Sequence, residues 1–257
     1  MSDPTLRLRK VLGSYDRLAV AVSGGVDSLT LAFCAAKWVP DFLAIHAVSP
    51  AVPEEATERV RSYAKENAWT LQVVSSGEFS DPQYRANPHN RCYFCKTNLY
   101  GTMTKLFDGP VASGTNTDDL GDYRPGLVAA DEHRVVHPFV EANVSKSDLR
   151  EIARGFGLQD IADLPAQPCL SSRVETGIRI TGEDLRFIHR METALRPFVP
   201  AANLRCRISV QGVRIESDLE LPAEARELAE DLCAAESRTL AGLTGYARGS
   251  AFIVPGK

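Results

Sequence analysis

The chain has 257 residues, of which 44% are hydrophobic and 24% charged, and its formal net charge at pH 7 is −4. This is enough for one large core or two modest ones. The acidic balance and the lack of a dense lysine and arginine block argue against a nucleic-acid surface. No apolar run is long enough to span a bilayer, and the N-terminus has no export signal, so we expect a cytoplasmic protein with reduced cysteines.

Apolar runs rich in β-branched residues alternate with helical patterns over the first part of the chain. The runs predict strands at residues 15–23, 41–49, 70–76 and 109–116. Helices are expected at residues 27–39, 54–68, 92–107 and 145–157. Residues 77–90 are expected to form a polar loop. The alternation predicts an α/β fold, a Rossmann-like domain whose parallel sheet carries helices on both faces.

The pattern changes beyond residue 160. Residues 205–218 alternate around Gln211-Gly212, which predicts two strands and a turn. A helix is expected at residues 223–237 and a last strand at 251–254. We place a boundary near residue 165, which gives a first domain over residues 1–165 and a smaller α+β domain over residues 166–257.

Residues 21–31, AVSGGVDSLTL, place a glycine loop directly after a strand and before a helix. Gly24 and Gly25 let backbone amides approach a ligand closely, and the helix start favours an anion. Ser23 and Ser28 add hydroxyl donors. No lysine closes the loop as in GxxxxGK[ST], and Asp27 in an anion site makes sense if a divalent cation accompanies the anion. The alternative is a plain turn.

This stretch resembles the PP-loop of the ATP pyrophosphatase superfamily. The resemblance implies that the loop holds the pyrophosphate part of ATP with Mg²⁺, that AMP is transferred to an acceptor oxygen, and that adenine lies near His46. Polar residues after the fourth predicted strand lie where open α/β sheets bind ligands, so we expect Mg-ATP and acceptor binding there rather than only a solvated loop. They are Asn116, Asp118, Asp119 and Asp122.

Cys92 and Cys95 in RCYFCK, together with Cys169 in QPCLSSR, allow four interpretations. A zinc corner needs a further ligand, for which the candidates are His89, His137 and His189. A CxxC pair could relay sulfur through a thiol of lowered pKa. The thiols could be plain core residues, as we expect for Cys34 and Cys233 in their helical patterns. Finally, three thiolates could hold a 4Fe-4S cluster and leave one iron for an extra sulfide.

Six motifs occur in order between residue 20 and about residue 180: SGGVDS, RCYFCK, GTNTDDLGDYRPG, HPF, KSDLREIAR and PCLSSR. Together they resemble the LarE family, ATP-dependent sulfur transferases that build the nickel-pincer nucleotide cofactor of lactate racemase. The resemblance implies that ATP adenylylates the carboxylates of pyridinium-3,5-biscarboxylic acid mononucleotide. Sulfur then replaces AMP to give thiocarboxylates.

Members of that family use one of two sulfur sources. Some sacrifice the sulfur of a single cysteine at the place of Cys169, and others hold a 4Fe-4S cluster with two additional cysteines. All three cysteines are present here, so the resemblance implies the cluster type, with Cys92, Cys95 and Cys169 as ligands. Arg91 and Lys96 beside the CxxC would favour thiolates or a negative cluster.

The implied substrate carries a phosphate and two carboxylates, so arginines should line its pocket. The candidates are Arg173, Arg179, Arg205, Arg207, Arg214 and Arg248. Arg205 and Arg207 share one face of a predicted strand, with Cys206 on the other. The resemblance implies that this pair and an acidic residue near Glu216 contact the substrate, whereas the other arginines could equally be solvated surface side chains.

Three other functions stay open. Some PP-loop enzymes thiolate tRNA with a similar cluster, which the acidic net charge disfavours. Amidation by ammonia, as in NAD synthetases, would need no cysteines, and a nucleotide-sensing module would bind ATP without releasing pyrophosphate. The resemblance further implies a homo-oligomer, a hexamer built through the smaller domain, which acts on a small mononucleotide without nucleic-acid or membrane partners.

Overall fold

The computed structural model describes residues 3–121, 124–165, 167–200 and 202–252. The chain divides into two compact units. The first comprises Met1–Phe79 and Cys92–Gln167, and the second comprises Ser80–Arg91 and Pro168–Lys257. No helix of the described residues is both long enough and apolar enough to cross a membrane.

Helices and strands alternate along most of the chain. In chain order they are α1 (Pro4–Leu12), β1 (Arg17–Ala21), α2 (Val26–Trp38), β2 (Asp41–Val48), α3 (Glu54–Glu66), β3 (Leu71–Ser75), α4 (Pro82–Arg85), α5 (Arg91–Leu106), β4 (Val111–Ala112), α6 (Pro125–Glu132), α7 (Pro138–Glu141), α8 (Lys146–Gly155), α9 (Gln159–Ala162), α10 (Gly182–Leu195), β5 (Leu204–Ser209), β6 (Gly212–Ser217), α11 (Ala223–Ala235) and β7 (Leu240–Gly245).

The first unit is built on a parallel sheet with the strand order β3-β2-β1-β4. Because successive side chains of a strand point to opposite faces, β1 contributes side chains to two hydrophobic cores, one on each face of the sheet. Leu18 and Val20 join a core with α1, α2 and α8, and Ala19 joins another with Tyr100 and Met103 of α5. The predicted α/β class, with helices covering both faces of a parallel sheet, is confirmed.

The second unit contains a sheet with the order β5-β6-β7. Strands β5 and β6 form the expected antiparallel hairpin, while β7 runs parallel to β6. Gly212 opens β6 at φ +121°, and a Cβ there would stand 2.5 Å from the Thr239 carbonyl oxygen. Buried side chains of α10, including Leu185, Ile188 and Met191, pack on this sheet.

The structure corrects three expectations. The strand predicted at 251–254 is absent at Ala251 and Phe252, and residues 253–254 lie outside the described part of the chain; the added strand is β7 instead. Strand β7 contains Gly242 at φ +152° and pairs with β6 across a register shift, so it lacks a clean alternation. Residues 77–90 were predicted to be a loop of the first domain. They contain α4, and all of them from Ser80 onward belong to the second unit, which includes Ser80–Arg91.

Candidate functional site

The glycine loop lies between β1 and α2 and is braced by α3. Gly24 has φ +86°, and a Cβ on it would stand 2.6 Å from the Ala56 carbonyl oxygen of α3. The two loop hydroxyls are hydrogen-bonded to each other, with the Ser28 Oγ 3.0 Å from the Ser23 Oγ. The Ser28 Oγ also accepts from the Ser23 backbone nitrogen at 3.0 Å. A side chain at position 24 would therefore displace a preformed loop.

The start of α2 offers its amides at this loop. Gly25 is the N-cap and supplies no side-chain hydrogen bond, so the positive end of a 13-residue helix is left for a ligand. Gly114, after β4, packs against the same turn: a Cβ there would lie 2.9 Å from the Ser28 backbone nitrogen. The loop and the end of β4 thus meet at one edge of the sheet, where ligands bind in open α/β folds.

Asp27 is held by a lysine that sequence reasoning missed. The Lys146 Nζ lies 2.7 and 2.6 Å from the two carboxylate oxygens, and the Asn116 Nδ2 donates to one of them at 3.1 Å. Lys146 occupies the first turn of α8, whose start is fixed by a Ser145–Asp148 capping box. The glycine loop lacks its own lysine, and one arrives from 119 residues further along the chain.

The predicted residues after β4 are brought to Asp27 in part. Asn116 is buried, and its backbone nitrogen donates to the Asp119 Oδ2 at 3.1 Å. Asp119 also pairs with Arg124 at 2.8 Å, so its carboxylate fixes the loop. Asp118 is exposed, and Asp122 lies outside the described residues.

Two histidines are engaged within the first unit. His46 is fully buried, with its Nδ1 2.7 Å from the Val22 carbonyl oxygen and its Nε2 2.9 Å from the Thr57 Oγ1. Burial lowers the pKa of His46 below its ordinary value. Both ring nitrogens thus connect β1 and β2 to α3, and the placement of adenine near His46 stays a prediction. The Nδ1 of His137 contacts the Ser113 Oγ at 2.9 Å.

Arg59 of α3 is a further residue that the sequence did not single out. Its Nη1 donates to the Gly24 carbonyl oxygen at 2.8 Å and to the Gln167 Oε1 at 3.2 Å. Gln167 is the last residue of the first unit and stands two residues before Cys169 in the sequence. One guanidinium thus touches the glycine loop and the start of the segment that carries the cysteine.

The cysteines fall into two classes. Cys92 is exposed and Cys95 half-buried, three residues apart at the start of α5, where the positive helix end favours thiolates. Cys169 is exposed and caps the 3₁₀ turn Leu170–Arg173. Cys34 and Cys233 are buried, as predicted; burial raises the pKa of Cys34 to about 12.

The donor chemistry of Cys92, Cys95 and Cys169 fits a soft metal or cluster, since thiolates are its preferred ligands. The first two belong to the first unit and Cys169 to the second. Within either unit, the described residues contain no assembled group of three or more His, Cys, Asp or Glu side chains that could hold a metal ion. The structure brings neither the three thiols nor a four-ligand zinc corner together in one unit.

Arg173 fixes the backbone around Cys169. Its guanidinium pairs with both oxygens of Glu192 at 3.0 Å, and its Nη1 donates to the carbonyl oxygens of Pro168 at 2.5 Å and Cys169 at 3.2 Å. Burial by itself would lower the pKa of Arg173, but the Glu192 carboxylate outweighs it and raises the pKa. Arg173 is thus a fixed cation that sets the position of the cysteine.

The predicted arginine pair of β5 is divided in its contacts. Arg207 is buried, and its Nε donates to the Glu216 Oε2 at 2.9 Å while its Nη1 donates to the Ser172 carbonyl oxygen. Arg205 lies over the Tyr246 ring, and burial, followed by the nearby Arg173, lowers its pKa. An anion that paired with Arg205 would relieve this penalty.

Glu216 is the shared carboxylate of this cluster. It accepts from Arg207, from the Arg214 Nη2 at 3.2 Å and from the Ser250 Oγ at 2.6 Å. Burial acts to raise the pKa of Glu216, but the Ser250 and Arg207 hydrogen bonds lower it overall. The remaining candidates, Arg179 and Arg248, are exposed.

A comparison with models of known protein families gives no match. Among curated proteins, the chain is 39% identical over 227 residues to an uncharacterized protein of Synechocystis sp., covering 84% of this chain and 81% of that protein. It is 31% identical over 208 residues to an uncharacterized protein of Methanocaldococcus jannaschii, covering 79% of each.

A further relative has a name that states a reaction. The chain is 27% identical over 191 residues to the pyridinium-3,5-bisthiocarboxylic acid mononucleotide synthase of Lactiplantibacillus plantarum, covering 72% of this chain and 69% of that enzyme. It is 25% identical over 173 residues to a probable tRNA sulfurtransferase of Methanobrevibacter smithii, covering 62% of this chain and 45% of that protein. These similarities support a sulfur-transferase enzyme of the PP-loop family.

Proposed function

We propose that the protein is an ATP-dependent sulfur transferase of the LarE type. It adenylylates the carboxylates of pyridinium-3,5-biscarboxylic acid mononucleotide and converts them to thiocarboxylates for the nickel-pincer cofactor. The observation that carries the proposal is the surroundings of Cys169. Its thiol is exposed, its backbone is fixed by Arg173, and four guanidinium groups of the same unit accompany two carboxylates, the half-buried Glu192 and the buried Glu216. Such a surplus of cations suits a substrate with a phosphate and two carboxylates.

The activation step falls to the first unit. The substrate carboxylate oxygen attacks the α-phosphorus of ATP, and the bond to the bridging oxygen of pyrophosphate breaks. The glycine loop and the start of α2 would hold the pyrophosphate oxygens. Asp27 would hold Mg²⁺, which stabilises the negative charge that develops on the leaving pyrophosphate. Lys146, which pairs with Asp27, would supply a cation for the same phosphates, and its place in the first turn of α8 would add the positive end of that helix.

The sulfur step needs a nucleophile that displaces AMP from the activated carboxylate. AMP is a better leaving group than hydroxide, so a soft nucleophile can displace it from the acyl carbon. A bound 4Fe-4S cluster would supply a sulfide for this step. Cys92, Cys95 and Cys169 would hold that cluster as thiolates, and Arg173 would keep the backbone of Cys169 in place. Arg205, which has a lowered pKa, is the arginine best suited to pair with a substrate anion, since Arg207 is committed to Glu216.

A tRNA-thiolating enzyme is the second candidate, favoured by the name of the Methanobrevibacter smithii relative. The same activation chemistry would act on a base carbonyl. Against it stands the net charge of −4, because a tRNA ligand requires many phosphate contacts. The LarE-type proposal includes a hexameric assembly and a substrate that is a small molecule only.

The two half-reactions can be measured separately. With the mononucleotide and Mg-ATP, wild-type protein reconstituted under anaerobic conditions should release pyrophosphate and give a product in which sulfur replaces oxygen, detected by mass spectrometry. Cys169→Ser should still release pyrophosphate but give no thiocarboxylate. Thiolated tRNA in place of a thiocarboxylate would support the second candidate. If Cys169→Ser also stops pyrophosphate release, activation and sulfur transfer are not separate steps with separate residues.

The sulfur source needs its own measurement. Iron and acid-labile sulfide in the reconstituted protein should approach one cluster per chain and should vanish when Cys92, Cys95 and Cys169 are all changed to serine. A matched variant with Cys34 and Cys233 changed to alanine should keep the cluster, because these thiols are buried in helices. Absence of iron from folded wild-type protein would point to Cys169 as a sacrificed sulfur donor.

A further inference from the structure

The segment Ser80–Arg91 carries a buried arginine into the second unit. The Tyr84 hydroxyl lies 2.7 Å from the Ser171 Oγ, and the Asn87 Nδ2 donates to the carbonyl oxygens of Glu175 at 2.8 Å and Ile178 at 2.9 Å. Asn87 itself is fully buried. The segment is therefore fixed along the stretch of chain that follows Cys169, and Arg91 ends it in a defined place.

Arg91 is 2% exposed, yet its charge is unpaired in the described parts of the chain. Its Nη1 donates to the Asn87 Oδ1, and its guanidinium lies 5.2 Å from the centroid of the Phe252 ring. Its Nη2 is buried, and no group of the described residues forms a hydrogen bond with it. The other strongly buried arginines of this unit, Arg173 and Arg207, each pair with a glutamate.

Two physical terms disfavour this cation as it stands. A buried charge without a counter-ion is costly, and one amide oxygen with one aromatic ring offsets only part of that cost. In addition, α5 begins at Arg91, so the positive end of the helix lies beside a positive side chain. The cost of the unpaired charge falls when an anion binds, because the guanidinium fork then has a counter-ion.

We propose that Arg91, oriented by Asn87, is the receptor of an oxyanion-binding site in the second unit, one that takes a carboxylate or a phosphate group. The guanidinium fork matches two oxygens of either group. The proposal goes beyond the arginines of the proposed substrate pocket, and it stands or falls on binding alone, whatever reaction the enzyme performs.

The test compares melting temperatures of wild type, Arg91→Met and Arg226→Met, the last being a control at an exposed arginine of α11 in the same unit. Each is measured in chloride, inorganic phosphate and pyridine-3,5-dicarboxylate at one ionic strength. In chloride, Arg91→Met should melt at or above wild type, because an unpaired buried charge has been removed. It should also lose part of the rise in melting temperature that phosphate or the dicarboxylate gives to wild type and to Arg226→Met.

The anion whose effect is lost identifies the ligand. If Arg91→Met loses the rise in melting temperature caused by phosphate, the site takes a phosphate group; if it loses the rise caused by the dicarboxylate, the site takes a carboxylate. Arg91→Lys serves as a second variant, because it keeps the charge without the fork, and it should weaken anion binding by at least about tenfold. If Arg91→Met melts below wild type in chloride and keeps the full rise with both anions, Arg91 is a structural residue and the proposal is overturned.

Discussion

The charged side chains of the two candidate sites differ in their balance: they are matched in the first unit and mainly positive in the second. At the loop edge of the first unit, Asp27 is matched by Lys146 and Asn116, so the charges balance before any ligand arrives. Around Cys169 in the second unit, the guanidinium groups of Arg173, Arg205, Arg207 and Arg214 outnumber the two carboxylates, Glu192 and Glu216. In the first arrangement, a metal ion and the phosphates it accompanies can take the place of the internal ion pair between Asp27 and Lys146. The second suits direct capture of an anion.

The comparison predicts its largest effect at the balanced site. Asp27→Asn removes the carboxylate that would hold the metal, and pyrophosphate release should fall by on the order of 10²–10³-fold, the range for one preorganised electrostatic group. Steady-state pyrophosphate assays check this. Asp118→Asn, an exposed carboxylate of the same edge, should change the rate little. Similar rates for both variants would mean that Asp27 serves only to hold Lys146.

The next effect concerns the fixed cation of the second unit. Arg173→Met leaves the half-buried Glu192 carboxylate without its ion-pair partner, so we expect the free energy of unfolding to drop by about 3 kcal/mol, the low end for a buried pair. It also frees the backbone of Cys169, so sulfur transfer should be lost while pyrophosphate release persists. Chemical denaturation and the two half-reaction assays check this. Arg226→Met is the exposed control, and Glu192→Gln is a milder change of the same ion pair. Equal loss of both half-reactions would contradict the separation.

A smaller effect is expected from the loop itself. Gly24→Ala forces a side chain into φ +86° and against the Ala56 carbonyl oxygen, which should cost about 1–3 kcal/mol and weaken ATP binding. Urea denaturation and nucleotide titration measure the two effects. Gly155→Ala, where a new Cβ meets nothing within 4 Å, should be neutral or slightly stabilising. A Gly24→Ala variant with unchanged ATP affinity would show that the loop can shift without loss.

The smallest effect is a pH dependence. Burial lowers the pKa of His46 from 6.5, so the unfolded chain binds more protons than the folded protein at mildly acidic pH. Stability should therefore be fully present above about pH 6.5 and fall as the pH drops further. His46→Asn should flatten the curve of unfolding free energy between about pH 7 and 5, and His89→Asn, an exposed control, should not. A curve unchanged by His46→Asn would assign the acid sensitivity to His137 or to the carboxylates.

Local patterns predicted most of the architecture, apart from α4, β7 and the strand at 251–254, whereas the site contacts that were missed are non-local. The strand before the glycine loop and the capped start of α8 depend on neighbouring residues, so their sequence signals were clear. The bond between Lys146 and Asp27 joins residues 119 positions apart, which no local pattern encodes. His46 shows the converse: its position at a strand end was predicted, but the burial of its ring depends on α3 and the Val22 carbonyl oxygen.

The path of the chain has a consequence for any attempt to dissect the protein. Because Ser80–Arg91 is inserted between β3 and the rest of α5, the chain passes between the units three times, and no single cut separates them. A fragment ending at Gln167 would keep Asn87 but lose Val174, Glu175 and Ile178, the backbone acceptors of its amide. We expect such a fragment to expose this segment to proteases, whereas joining residues 79 and 92 through a short designed linker would release the first unit as an autonomous piece.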